Sequence, residues 1–316
     1  MREAMLVKGQ IKTNEVFSLR TAVIGIGSNS LRMLVADITN GRLHRLRRYR
    51  EGLRVFAALD DQGNITQDMI DMACKSVDDF RNEALAQGAE QLCLFATSAV
   101  RDARNQQVLI SALEKTTGLA LDICSGEQEA LLSFIGATEG QRTGMIDIGG
   151  GSTEIVVGYG KEMLKAVSLQ MGAVRLCRKQ PINSVATAEE VVKTAESMLL
   201  PYQESFLALN AENWVGVGGT FTTSAAFVQK IPLERRDSIH GFVLTKKDVR
   251  CSMEQLAPMP MEQRLQLPYL QPQRADIVVH GIAILLACMN VLHVEQIVVS
   301  EHGNLEGYLK TKYLLC

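Results

Sequence analysis

The sequence predicts an α/β protein made of two similar lobes, and three observations carry that prediction. Apolar strand-like runs alternate with segments of helical period, the pattern of layered α/β folds. Residues 21–38 (TAVIGIGSNSLRMLVADI) recur in shape at residues 145–158 (MIDIGGGSTEIVVG). Laying Ile24 on Ile146 places Ile26 on Ile148, Gly27 on Gly149, Ser30 on Ser152 and Val35 on Val157, an offset of 122 residues. A duplication at about the size of one domain outranks other fold evidence. The 316 residues, 47% of them hydrophobic, suffice for about two domains and a large core.

The elements follow in order. Residues 22–26 read as a buried strand, Gly27-Ser28-Asn29-Ser30 as a small polar turn and residues 31–38 as a second strand. Asn40-Gly41 signals a type I′ hairpin. It leads into a basic stretch, residues 42–54, carrying Arg42, Arg45, Arg47, Arg48, Arg50 and Arg54. Met69, Ile70, Ala73, Val77, Phe80 and Ala84 recur at helical spacing over residues 66–85. Residues 91–97 and 119–124 read as strands, residues 108–117 and 127–137 as helices, the latter opening after Ser125-Gly126. Past the repeated hairpin, Thr187 and Glu190 form a capping box for a helix over residues 187–200. Residues 214–218 read as a strand, Gly218-Gly219-Thr220 as a turn and residues 225–228 as a helix. Four prolines break residues 258–272 into a loop. Residues 277–292 form a core helix, residues 296–300 the last strand and residues 304–312 a terminal helix.

Composition excludes several classes. The formal net charge of −2 argues against a general nucleic-acid binder, and the mixed composition against disorder. The seven cysteines, with no C-x-x-C pair and no zinc spacing to a histidine, read as reduced thiols. The five histidines show no ligand spacing either. Residues 1–20 lack a signal-like apolar run. The most apolar stretch, residues 277–292, is interrupted by His280 and Asn290 and is shorter than the roughly 20 residues that span a bilayer. A cytoplasmic protein with neither membrane nor nucleic-acid partner is expected.

Three glycine-rich turns, at Gly27–Ser30, Gly149–Ser152 and Gly218–Thr220, each follow an apolar strand. Glycine lets backbone N–H groups approach a ligand closely, and successive N–H groups form an anion nest. With the hydroxyls of Ser28, Ser30, Ser152 and Thr153 adding donors, phosphate is the expected guest. No G-x-x-x-x-G-K-[ST] run is present, so the loop is not a P-loop. Gly25-x-Gly27 opens a hairpin where a dinucleotide fingerprint must open a helix.

These residues resemble a known group. GIGSNS, DIGGGSTE and GVGGTFTTS look like the phosphate and nucleotide motifs of the actin and hexokinase superfamily. More specifically, TSAVRDARN, SGEQEA, IDIGGGSTE and QRADIVVHGIAIL are similar to the exopolyphosphatase and guanosine pentaphosphate phosphohydrolase (Ppx/GppA) family, over residues 21–309 in family order. The resemblance implies two ribonuclease-H-like (actin-like ATPase) lobes with a cleft between them. The first would span residues 20–126, with the terminal helix 304–316 packing back on it, and the second residues 127–303. It implies a short form lacking the family's extra C-terminal helical domain, and a homodimer.

The activity implied is release of orthophosphate from inorganic polyphosphate or guanosine penta- or tetraphosphate, assisted by Mg2+ or Mn2+, with a role in the stringent response. Phosphoryl transfer needs an oriented water and positive charge on the phosphoryl oxygens. Glu129, fifth in the SGxxE pattern, matches the catalytic glutamate and would be the general base. Asp147 and Glu154 match metal-associated carboxylates; a carboxylate inside the apolar run 145–148 is costly unless ligated. Arg101, in the TxxxR pattern, would bind a phosphate. The turns contribute Gly27, Ser28, Asn29, Ser30, Gly149, Gly150, Gly151, Ser152, Thr153, Gly218, Gly219 and Thr220. Arg47, Arg48 and Arg54 would form a basic track drawing in a polyanion. Glu129 is expected at the hinge, with Asp147 across the cleft.

Two departures stand out. Gly25 occupies the position of an aspartate in the family's IDxGSNS pattern, and the repeat sets Gly25 opposite Asp147. SEHGNLEG stands where the family has SDGxLxEG. Loss of that carboxylate motivates a second reading, a non-catalytic sensor of polyphosphate or nucleotide. The turn at Gly218 motivates a third, an actin-like ATPase or kinase.

Overall fold

The computed structural model describes residues 18–232 and 239–315; residues 1–17, residues 233–238 and Cys316 lie outside the described residues. The first sheet contains β1 (Ser18–Ile26), β2 (Leu31–Thr39), β3 (Arg42–Glu51), β4 (Gln91–Ala96) and β5 (Leu121–Ile123), in spatial order β3-β2-β1-β4-β5. The second contains β6 (Arg142–Ile148), β7 (Thr153–Tyr159), β8 (Glu162–Leu169), β9 (Asn213–Val217), β10 (Val243–Thr245) and β11 (Gln296–Ser300). Its order β8-β7-β6-β9-β11 repeats the first sheet, with β10 added antiparallel at the edge. In each sheet an antiparallel meander is extended by two parallel strands. Each meander also shifts register, between Val35 and Ala36 and between Val157 and Gly158. Those positions coincide at the 122-residue offset, so the duplication extends to the irregularities of the backbone.

The helices are α1 (Gln67–Ala86), α2 (Ser98–Arg101), α3 (Gln106–Thr117), α4 (Gly126–Ala137), α5 (Ala173–Lys179), α6 (Val185–Leu199), α7 (Gln203–Leu207), α8 (Gly219–Gln229), α9 (Lys246–Leu256), α10 (Met261–Leu265), α11 (Val278–Val291) and α12 (Asn304–Tyr313). Strand alternation divides each sheet's residues between two covered faces. Ala22, Ile24 and Ile26 pack toward α1 and α3, while Val23 and Phe95 meet Leu305 and Leu309 of α12. In the second sheet Ile146 and Ile148 join the core under α6, α8, α9 and α11, while Met145 meets Ala130 and Phe134 of α4. Helices α4 and α12 therefore lie between the sheets and pack on each other. They approach backbone to backbone: a Cβ on Gly136 would sit 1.9 Å from the Gly303 oxygen, and one on Gly307 1.8 Å from the Leu132 oxygen. Only glycine permits that separation.

Several elements differ from the sequence expectation. The cap of α6 is Ser184, whose Oγ accepts from the Thr187 amide at 3.2 Å, while Thr187 Oγ1 accepts from the Ser184 amide at 3.1 Å. Thr187 is thus the third helical residue, three past the cap. Helix α8 begins at Gly219, six residues early, because Gly218 alone, at φ 94°, makes the turn. The proline-broken segment holds a short helix, α10. The strand expected over residues 119–124 shortens to Leu121–Ile123. Among the described residues, no helix is long and apolar enough to cross a membrane.

Candidate active site

The three turns leave the carboxyl ends of β1 in the first sheet and of the adjacent β6 and β9 in the second, the end at which open α/β sheets bind ligands. They meet at one cleft of about 370 Å³. The first two turns close identically: Gly27 N donates to Ser30 O and Gly149 N to Ser152 O, each at 3.0 Å. Gly27, Ser28, Asn29 and Ser30 line the cleft, as do Gly149, Gly150, Gly218 and Gly219. Ser28 Oγ lies 2.8 Å from Ser98 Oγ, and both side-chain polar atoms of Asn29 are buried without a partner. The other expected turn residues sit behind this wall. Gly151 packs against Ser98, Ser28 and Phe56; Ser152 is 1% exposed; Thr153 donates to the Met171 carbonyl; Thr220 is packed under α11 at Gly281. In this structure the cleft face of the second and third turns is made by Gly149, Gly150, Gly218 and Gly219.

Three buried carboxylates stand beneath the turns. Glu129 lies in the first turn of α4, where a capping box between Ser125 and Gln128 starts the helix. It is 6% exposed, and its Oε2 accepts from Arg101 Nη1 at 3.1 Å. Burial, reinforced by the negative field of Asp147 and opposed by Arg101, pushes its carboxyl up to about 7. Glu129 and Asp147 were expected on opposite sides of the cleft. Instead α4 packs on the sheet that carries Asp147, and the two charges act on each other directly.

Asp147 and Glu154 are directly opposed across β6 and β7. Ser133 Oγ donates to Asp147 Oδ2 at 2.6 Å; burial raises the Asp147 carboxyl, with Ser133 and Arg32 opposing. Glu154, alternating with Ile155, would be solvent-facing on a half-exposed strand, but both faces of β7 are covered and it is 1% exposed. Its Oε1 accepts from Ser168 Oγ at 2.7 Å, and Oε2 is buried with no hydrogen-bond partner. Burial first, then Glu129 and Asp147, hold it well above the usual carboxylate range.

A divalent cation fits this donor set: adjacent hard oxygens, an orphaned carboxylate oxygen and excess buried negative charge. Among the described residues no group of three or more His, Cys, Asp or Glu side chains is arranged to hold a metal ion, so the fit rests on the Asp147 and Glu154 pair.

The arginines differ most from expectation. Arg101 does not line the cleft; its guanidinium is held by Glu129, the Cys124 carbonyl at 3.0 Å and Asp102. Of the expected track only Arg48 lines the cleft, paired with Glu306. Arg47 alternates to the face toward α1, where its field reaches Glu83, and Arg54 pairs with Asp276. The register shift at Leu46 brings Arg45 round to the face of Arg48, Glu301 and Glu306, and Arg50 donates to Ser30 Oγ at 3.0 Å. Two further cleft arginines escaped sequence reasoning. Arg32 donates to Asn304 Oδ1 at 3.2 Å; the repeat marks it as the counterpart of Glu154. Arg274, within the QRADIVVHGIAIL stretch, covers the third turn so closely that a Cβ on Gly219 would fall 1.9 Å from its Cζ.

Apolar side chains close the space beside Gly25. A Cβ there would stand 2.9 Å from Phe95 Cζ and 3.2 Å from Leu305 Cδ2, and Phe95 stacks on Tyr308 at 5.0 Å. The site therefore lacks a carboxylate and also the room for one. Gly25→Asp is expected to lower Tm without raising turnover, measured by thermal denaturation beside a phosphate-release assay. A gain in turnover at unchanged Tm would contradict the packing argument.

The Ppx/GppA phosphatase family model matches residues 34–315. The chain is 30% identical over 312 residues to exopolyphosphatase 2 of Mycobacterium tuberculosis, spanning 91% of this chain and 97% of that protein. It is 29% identical over 304 residues to exopolyphosphatase 1 of the same organism, spanning 93% and 88%. Among solved structures, an exopolyphosphatase from Cytophaga hutchinsonii matches with a TM-score of 0.84 at 26% identity, over 93% of this chain and 97% of that one. The Aquifex aeolicus PPX-GPPA enzyme matches with a TM-score of 0.79 at 25% identity, over 93% and 99%.

Proposed function

The chain belongs to the Ppx/GppA phosphatase family and is a hydrolase of that family; from that premise we propose that it releases orthophosphate from the ends of inorganic polyphosphate, with Glu129 as the base. The observation that carries the reading is the convergence of three phosphate-type turns on one cleft with Glu129 and Asp147 in its wall and Glu154 buried opposite Asp147. Backbone N–H groups of the turns, with Arg32 and Arg274, would hold the terminal phosphoryl oxygens. Glu129, held near neutrality, would accept a proton from the water whose oxygen forms the new bond to phosphorus. The bond to the bridging oxygen breaks, and the shortened chain leaves. Asp147 and Glu154 would hold Mg2+ or Mn2+, which supplies charge neutralisation to the phosphoryl oxygens when bound.

Polyphosphate is favoured over guanosine pentaphosphate by the strand of cationic groups Arg45, Arg48 and Arg50 leading along β3 to the first turn. A linear polyanion would engage them all, whereas a short nucleotide reaches only the inner ones. The purified protein with Mg2+ or Mn2+ is expected to release orthophosphate from long polyphosphate. Arg45→Ala should raise KM for that substrate, increasingly so at low salt, and Arg47→Ala should not. Release no greater than that of a Glu129→Gln control would overturn the reading. Tight polyphosphate binding without release would instead favour the sensor, which the apolar filling beside Gly25 supports.

A further inference from the structure

Arg175, in α5 of the second lobe, contacts both lobes behind the first and second phosphate turns. Its Nε donates to the carbonyl of Gly151, in the second phosphate turn, at 2.7 Å. Its Nη2 donates to Asp102 Oδ2, in the first lobe, at 2.6 Å. Its guanidinium lies over the Phe56 ring, 4.7 Å from the centroid, and Phe56 N–H in turn holds the Ser28 carbonyl of the first turn at 3.0 Å. Asp102 adjoins Arg101: Arg101 Nε stands 3.5 Å from Asp102 Oδ1, while Arg101 Nη1 stands 3.1 Å from Glu129 Oε2.

We infer that Arg175 is a positioning residue for hydrolysis, holding the two phosphate turns in register across the lobes and occupying Asp102 so that Arg101 stays on Glu129. This role rests on the reading of Glu129 as the base. Two separate acceptors and a flat face against an aromatic ring require a guanidinium, and a lysine cannot satisfy all three. Removing Arg175 leaves Asp102 to compete with Glu129 for Arg101. Removing Asp102 as well ends that competition. The two losses therefore do not add, and the double variant should run faster than the single one.

The test is a cycle of Arg175→Gln, Asp102→Asn and the double variant, with kcat and KM for polyphosphate measured separately. R175Q is expected to lower kcat about 30-fold with KM within about threefold, the scale of a small misplacement of catalytic groups. D102N should cost about threefold, and D102N/R175Q should recover most of the R175Q loss. R175K keeps the charge and serves if R175Q does not fold; D102N/R175K should likewise outrun R175K. Additive losses, or a double variant slower than R175Q, would overturn the proposal, since a merely structural role predicts them. A silent wild-type enzyme would instead remove the proposed function. Hydrogen exchange then decides the latch: it predicts a joint rise at residues 97–103 and 149–152 in R175Q, whereas a rise confined to residues 173–179 refutes it.

Discussion

Glu129→Gln should lower kcat for orthophosphate release by about 10³-fold, within the range for a positioned general base, with KM changed only a few-fold. The amide keeps the shape of the side chain and can still accept from Arg101, but it cannot take a proton from water. The same substitution should make the metal-free protein more stable at alkaline pH. The buried Glu129 carboxyl is raised to about 7 in the folded state, above its unfolded value, so folding takes up protons. Its favourable contribution is complete below the unfolded value and is lost as pH rises through about 7. Melting curves in EDTA should therefore show little difference between wild type and E129Q at pH 5, and a higher Tm for E129Q at pH 8. A lower Tm for E129Q at every pH would mean that the ion pair with Arg101 outweighs burial.

Asp147→Asn is expected to reduce kcat by about 10²-fold or more and to raise at least tenfold the Mg2+ concentration giving half-maximal rate, ligand losses being larger than those of supporting groups. Ser133→Ala, which removes the 2.6 Å hydrogen bond orienting Asp147, should reproduce about a tenfold rise in the Mg2+ requirement. Mg2+ titrations of phosphate release, with calorimetric binding of Mn2+ as an activity-independent readout, check both. A D147N enzyme with wild-type Mn2+ affinity would place the cation elsewhere.

The two halves of the site were unequally legible. Turn chemistry survives in the sequence because it is local. Asn40 and Gly41 do take positive φ, at 53° and 71°, joining β2 to β3, and Gly27–Ser30 and Gly149–Ser152 do close in the same way. The 122-residue repeat was visible for the same reason, since each meander is encoded within about 30 contiguous residues. Glu129, Asp147 and Glu154 could be named in advance from motif order, although their shared burial could not.

The arginines show where local reading stops. Strict alternation along β3 groups Arg45 with Arg47, away from Arg48 and Arg50; the register shift against β2 moves Arg45 to the cleft face. That shift exists only in the pairing of two strands. Arg101 was expected on a phosphate, but α4 and the Cys124 carbonyl arrive beside it and take its donors. Arg274 and Arg175 come from the second lobe, 55 residues past Gly219 and 24 past Gly151 respectively, with nothing local to mark them. Gly25 looked like a missing ligand; Phe95, Leu305 and Tyr308, from β4 and α12, make it a packed apolar position.

By itself the sequence determined the α/β class, the duplicated meanders and the three glycine turns, and the family resemblance singled out the three carboxylates. Hydrophobic period and turn chemistry act over a few residues, so one segment suffices to express them. The tertiary structure alone decided which cations face the cleft, that the helix of Glu129 packs on the sheet of Asp147, and that Arg175 joins both lobes. Those outcomes depend on which surfaces of distant elements are pressed together: β3 on β2 for Arg45, α4 on the second sheet for Glu129, and α5 against the first lobe for Arg175.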